Sequence, residues 1–147
     1  MQRVEITEKL RSAVLQHFHL LGHAVLPEFT LKTGRRVDVI CLDKHQHITV
    51  IEIKSSKEDF LSDQKWPEYL EWAHQFYFAV WEDFDLSLLN NTQPCGILIS
   101  DGYQCHLARQ AEEMSLAPAR RNSLIQRLAR TAMDRAAAPY LGRGSLV

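Results

Sequence analysis

Apolar residues recur at Leu10, Val14, Leu15, Phe18 and Leu21, the spacing of one face of a helix with 3.6 residues per turn. Thr7 offers a cap and Gly22 a stop, so a first helix is predicted over Thr7 to Leu21. The period then changes. Ala24 to Leu31 is apolar and β-prone, Lys32-Thr33-Gly34 is a turn, and Arg36 to Leu42 and His47 to Lys54 flank the polar connector Asp43 to Gln46. Three consecutive antiparallel strands follow. After Lys54, Ser56 can cap a second helix that Pro67 breaks near Trp66. Gln75 to Trp81 reads as a buried strand, and Gly96 to Ser100 and Tyr103 to Ala108 flank the hairpin signal Asp101-Gly102. A last amphipathic helix is predicted over Ala119 to Ala138, ended by Pro139 and Gly142. The order α-β-β-β-α-β-(β-β)-α predicts an α+β fold, a mixed central sheet flanked by helices, as one domain over 1–147.

The chain has 147 residues, 46% hydrophobic and 24% charged, enough to bury a core. No apolar run approaches a membrane span, and the start Met1-Gln2-Arg3-Val4-Glu5 carries no signal-peptide core, so a cytoplasmic protein is expected. Cys41, Cys95 and Cys105 lack CxxC spacing, which argues against a disulfide framework or a structural zinc site. The seven histidines, His17, His19, His45 and His47 among them, form no zinc set either. HEXXH, a glycine-rich phosphate loop and GxSxG are absent, which removes the common metalloprotease, P-loop and α/β-hydrolase readings. A net charge of −1 argues against a protein that coats nucleic acid by bulk charge. Charge is nevertheless uneven: from Arg120 to Arg135 the only acid is Asp134, against five arginines. A solvated helix face is the expected role of that run, a second phosphate-binding patch the alternative.

The chemistry concentrates in the second and third strands. Glu52 and Lys54 share one face of a strand while Ile51 and Ile53 take the other, toward the core. If His45 is the tip of the connector, paired residue numbers sum to about ninety, and Asp38 lies opposite Glu52 with Cβ atoms on the order of 5 Å apart. Two facing carboxylates in an apolar sheet repel unless a cation or a shared proton offsets them. Mg²⁺, or Mn²⁺, needs only one or two protein carboxylates, and Lys54 alongside could orient a water or neutralise charge on a phosphorane. The plain alternative is a surface ion pair between Glu52 and Lys54.

Gly34-Arg35-Arg36-Val37-Asp38, Val50-Ile51-Glu52-Ile53-Lys54-Ser55-Ser56, Asp59-Phe60, Asp63-Gln64-Lys65-Trp66-Pro67-Glu68-Tyr69 and Phe78-Ala79-Val80 together resemble the MmcB-like DNA-repair family. That family is a branch of the PD-(D/E)xK nuclease superfamily, with its restriction-endonuclease-like fold. The resemblance runs from about Gly22 to Arg135. It implies a role in DNA repair, with Asp38 and Glu52 as metal ligands and Lys54 as the superfamily's catalytic lysine. It also implies a further glutamate on the first helix, for which Glu8 is the candidate. Glu28 in the first strand is the rival: a three-residue turn after Leu31 sets it opposite Asp38, whereas a two-residue turn sets Phe29 there. Related nucleases hold phosphate or a metal-bound water with a Gln or Lys and a Tyr on the next helix, which points to Lys65 and Tyr69, four apart. The bland reading makes Tyr69 core and Lys65 rim. Asp59 and Asp63 are lesser candidates for the same role. Arg35 and Arg36, with Lys32 nearby, are candidates for DNA phosphate contacts.

Three functions compete. One is a metal-dependent DNA-repair nuclease acting on damaged or branched DNA. Another is a weakly active or inactive DNA-binding repair module that depends on partner repair proteins or on a homodimer. An interaction domain unrelated to nucleic acid is the third.

Overall fold

The computed structural model describes residues 2–142. The first helix, α1 (Arg3–Leu20), begins four residues before the expected cap. Thr7 lies inside it and donates its hydroxyl to the Arg3 carbonyl (3.0 Å), and Glu5 sits in its first turn. The other end follows the sequence. Gly22 takes φ +91°, its N–H reaching the His19 carbonyl and the His23 N–H the Phe18 carbonyl, both at 3.0 Å. Only glycine adopts that left-handed stop without a steric cost.

Strands β1 (Ala24–Thr30), β2 (Arg36–Leu42) and β3 (Ile48–Lys54) form the antiparallel meander. Helix α2 (Lys57–Ser62) follows, capped by Ser56, whose hydroxyl accepts the Asp59 N–H (3.1 Å). A separate 3-10 segment, Trp66–Trp72, holds Pro67 in its opening turn, so the break near Trp66 is real. Then come β4 (Gln75–Trp81), β5 (Gly96–Ser100), β6 (Cys105–Arg109) and α3 (Pro118–Ala137). The sheet order is β1-β2-β3-β4-β5-β6, with β3, β4 and β5 parallel. This is the mixed-sheet α+β architecture expected from the pattern. The β5–β6 connection differs from the two-residue hairpin suggested by Asp101-Gly102. Ser100 pairs with Cys105 across four residues, because the Asp101 carboxylate accepts the N–H groups of Tyr103 and Gln104 (2.9 Å each).

The centre of the sheet, β2 to β5, is buried on both faces. Leu10, Val14 and Phe18 of α1 pack on Val39, Cys41, Ile51, Ile53, Tyr77 and Ala79. Phe60, Tyr69, Leu116, Leu124 and Leu128 pack on Ile40, Ile48, Val50, Phe76, Phe78 and Val80 opposite. All seven residues of β3 are buried, as befits a strand flanked by neighbours and covered by helices above and below. That corrects one expectation: the face carrying Glu52 and Lys54 is not an open polar face but the α2/α3 side of the core. Cys41 and Cys95 are buried and Cys105 half-buried, all as free thiols.

The arginines of α3 are not simply solvated. Arg127 donates to the Thr30 carbonyl (2.9 Å), and Arg135 to those of Pro27 and Glu28 (2.5 and 2.6 Å). These carbonyls belong to β1, the sheet's edge, so the helix supplies donors to a strand that lacks a neighbour on that side. Arg120 lies over the Trp72 ring (4.6 Å to its centroid) and donates to the Glu71 carbonyl.

Candidate metal and DNA site

The sheet forks at the residues that carry the chemistry. Pairing between β2 and β3 stops at Val39↔Ile51, while β1 and β2 continue to Thr30↔Arg36. The β2–β3 register sums to ninety, which sets Asp38 across from Glu52. Their carboxylates take over where the ladder ends: the Asp38 N–H donates to Glu52 Oε1 (3.2 Å), and the Ile53 N–H to Asp38 Oδ2 (2.8 Å). Asp38 Oδ1 and Glu52 Oε2 accept none of these backbone bonds.

The turn after Leu31 has three residues. Leu31 N–H bonds the Arg35 carbonyl (2.7 Å) and Gly34, at φ +91°, closes it. Glu28 is therefore in register with Asp38, yet it drops out of the ladder at φ +50°. Around it the alternation slips: Leu26 and Phe29, three apart, both join the α3-side core, as do Val37 and Ile40 on β2. Glu28 and Asp38 sit at the slip in each strand.

Burial governs the electrostatics. Glu52 is 5% exposed and Lys54 3%. Burial first, then the Asp38 charge, pushes the Glu52 carboxyl far above the usual carboxylate range. Burial also raises Asp38, against the Ile53 N–H and the charges of Lys54 and Arg11. Without a cation, one proton shared by the pair removes the repulsion. Lys54 Nζ donates to Asp63 Oδ2 at 2.6 Å, an ion pair whose lysine end is buried. Burial opposes ionisation of Asp63, but the Lys54 ammonium and the Lys65 N–H outweigh it and lower its pKa. Burial, with the Glu52 and Asp63 charges, pushes the Tyr69 phenol up to about 12.

The remaining candidates separate. Lys65 is exposed at the lip of the 3-10 segment while Tyr69 is buried in the core, so the two do not share a face. A 3-10 turn aligns residues three apart, not four, which is the physical reason. Arg35 bonds Glu68 through Nε (2.9 Å), tying the β1–β2 hairpin to the 3-10 segment, and Arg36 is exposed beside it. Glu8 is largely exposed and pairs with Arg11 (3.5 Å); Glu28 pairs with the same guanidinium (3.1 Å). Neither is directed to Asp38 and Glu52 by a contact of its own. Sequence reasoning missed Arg11, although it lies three residues from Glu8 on one helix face. It also underrated Asp63, whose pairing with Lys54 needed the fold to bring together residues nine apart.

A family model described as DNA repair protein MmcB-like matches residues 2–141. The chain belongs to the MmcB-like family. An MmcB-like protein of this build also resembles a solved structure, the SPO1766 protein of unknown function from Silicibacter pomeroyi. The two are 39% identical with a TM-score of 0.86, over 98% of this chain and 95% of that one. No curated protein matches. Among the described residues no group of three or more His, Cys, Asp or Glu side chains converges as metal ligands, and no helix is long and apolar enough to cross a membrane.

Two carboxylates nonetheless fit a hard divalent cation, since Mg²⁺ takes most of its ligands from water and phosphate. The fit rests on the donor set. Asp38 and Glu52 offer oxygen only, each has one oxygen outside the backbone bonds, and burial makes their joint ionisation unfavourable unless a cation joins them.

Proposed function

We propose that this MmcB-like protein is a metal-dependent DNA-repair nuclease of the PD-(D/E)xK type, hydrolysing phosphodiesters in damaged or branched DNA. The observation that carries this reading is the raised, facing pair Asp38 and Glu52 at the fork between β2 and β3, with the Lys54 ammonium on the same strand face. Asp38 Oδ1 and Glu52 Oε2 would hold Mg²⁺ or Mn²⁺, which supplies charge neutralisation and a more acidic water. Lys54, fixed by Asp63, offers positive charge to the phosphorane and a donor to orient the attacking water. Arg36 and Lys65, exposed on the hairpin and the 3-10 segment, would contact DNA phosphates; Arg35 would join them by exchanging Glu68 for phosphate. Other repair proteins, or a second copy of the chain, would extend a DNA surface that 147 residues keep small.

A second reading has an observation in its favour. The near-complete burial of Glu52 and Lys54, and the engagement of Lys54 with Asp63, suit a DNA-binding repair module that cuts poorly or only after a partner opens the site. A nicking assay on branched and single-stranded DNA with Mg²⁺ or Mn²⁺ separates the two. The nuclease reading expects cleavage that Asp38→Asn and Lys54→Met each reduce on the order of 10³-fold. Salt-dependent binding without cleavage supports the binding module. Absence of binding at low salt overturns both.

A further inference from the structure

Lys54 has two sets of acids to choose between. Glu52 stands two residues back on the same strand face, roughly 7 Å away along β3, a gap that the two side-chain stems span together. Asp38 belongs to the same fork, its carboxylate on the Ile53 N–H (2.8 Å). A buried ammonium beside two buried, mutually repelling carboxylates is expected to settle on them. It does not. Among the described residues no ion pair joins Lys54 to Glu52 or Asp38, and Lys54 Nζ reaches Asp63 Oδ2 instead (2.6 Å). That rival acceptor, at the end of α2, is held in place. Asp63 Oδ1 accepts the Lys65 N–H (3.1 Å), and the Gln64 amide donates to the Phe60 and Leu61 carbonyls (3.1 Å each), which ties down the link from α2 to the 3-10 segment. The Asp63 side chain is 28% exposed whereas Glu52 is buried, so a charge on Asp63 costs less in lost hydration.

We propose that Asp63 is a positioning residue that draws the Lys54 ammonium off the Asp38–Glu52 pair and so keeps that pair open to a divalent cation. The inference rests on the metal-dependent reading above and deepens it: a carboxylate that does not bind the ion sets the affinity of the two that do. An ammonium seated on the pair would supply the neutralising charge itself, and an incoming ion would have to displace it. With Asp63 as its partner, Lys54 stays on the strand face of Glu52 without taking up its oxygens.

The test is a double-mutant cycle read as Mn²⁺ affinity, by calorimetry and by paramagnetic resonance of free and bound Mn²⁺, without DNA. Asp63→Asn keeps the shape of the side chain and removes its charge. With Lys54 present it is expected to weaken Mn²⁺ binding about tenfold or more, because the released ammonium moves onto the pair; in a Lys54→Met background the same change is expected to cost less than about threefold. Losses that differ by less than about threefold between the two backgrounds overturn the inference while the metal-dependent reading stands, since a lost Asp63 charge or a lost Asp63 ligand would act in both. Wild type without any bound ion, or binding indifferent to Asp38→Asn, sinks that reading and the inference with it. Should Asp63→Asn fail to fold, Asp63→Glu decides. A carboxylate on a longer arm still engages the lysine, so affinity within about threefold of wild type supports the positioning role, and a larger loss overturns it.

Discussion

The two ends of β3 carry similar residues in opposite conditions. At its start, the Asp43 carboxylate accepts the N–H groups of His45 and His47 (2.8 and 2.9 Å). The His74 ring accepts the Ile48 N–H (3.0 Å) and stacks on His47, which bonds Glu113 (2.8 Å). Burial opposes the ionisation of Asp43, but the two N–H bonds and the nearby His47 and His23 together outweigh it and hold its carboxyl below the usual carboxylate range. At its end, Glu52 and Asp38 are raised by burial and by each other. One end of the strand stabilises the fold; the other is tolerated by it. Sites that bind charged partners are drawn from the second kind, because the cost of an unneutralised pair in the free protein becomes affinity for a cation.

The largest expected effect comes from removing the ammonium at the destabilised end. Lys54→Met leaves Glu52 and Asp63 without their cation, and breaking a buried pair from one side costs about 3–5 kcal/mol. Denaturant unfolding of the metal-free protein measures this, and the double variant Lys54→Met/Glu52→Gln should recover a large part of the loss. A double variant no more stable than Lys54→Met would mean that Glu52 does not feel the lysine.

Next in size is Glu52→Gln, expected to stabilise the metal-free protein by about 1–3 kcal/mol at neutral pH while removing Mn²⁺ binding. The pH dependence has a definite sign. A carboxyl raised in the folded state binds its proton more tightly there than in the unfolded chain. Wild-type stability should therefore fall as pH rises above the ordinary carboxylate range, and Glu52→Gln should flatten that fall. Mg²⁺, binding only the folded form, should oppose it. Equal pH slopes in wild type and variant would remove the electrostatic account of this end.

The boundaries of β2, β4 and β5 could be read to the residue, because their apolar runs end at turn formers or charged residues. The start of α1 could not. Gln2 makes no side-chain cap, so the helix begins where no local signal marks it. At the site, period-two alternation places Glu52 beside Lys54, and the connector's length sets Asp38 opposite Glu52. Burial of the pair could not be read, since it depends on Phe60, Tyr69 and Leu124 arriving from distant segments. The slip at Glu28 was equally hidden: its left-handed backbone goes with contacts to Arg11 and Arg135, 17 and 107 residues away in sequence.

The satisfied end gives the smaller effects, and with the opposite pH sign. Asp43→Ala removes the acceptor for two backbone N–H groups and is expected to cost about 1–2 kcal/mol. Because the folded-state pKa of Asp43 is lowered, its contribution is present above the ordinary carboxylate range and fades as pH falls through the folded value. Acid titration of wild type against Asp43→Ala should thus show the two curves converging at low pH, where Glu52→Gln and wild type also converge, and separating as pH rises, in opposite directions for the two variants. Glu113→Gln is the control at the bottom of the scale. Its carboxylate is 65% exposed, so losing the pair with His47 should change stability by no more than about 0.5 kcal/mol. A larger loss would show the His47–Glu113 contact to be a strut between the β2–β3 connector and the segment leading to α3. The contrast would then lie between two functional ends, instead of a structural end and a reactive one.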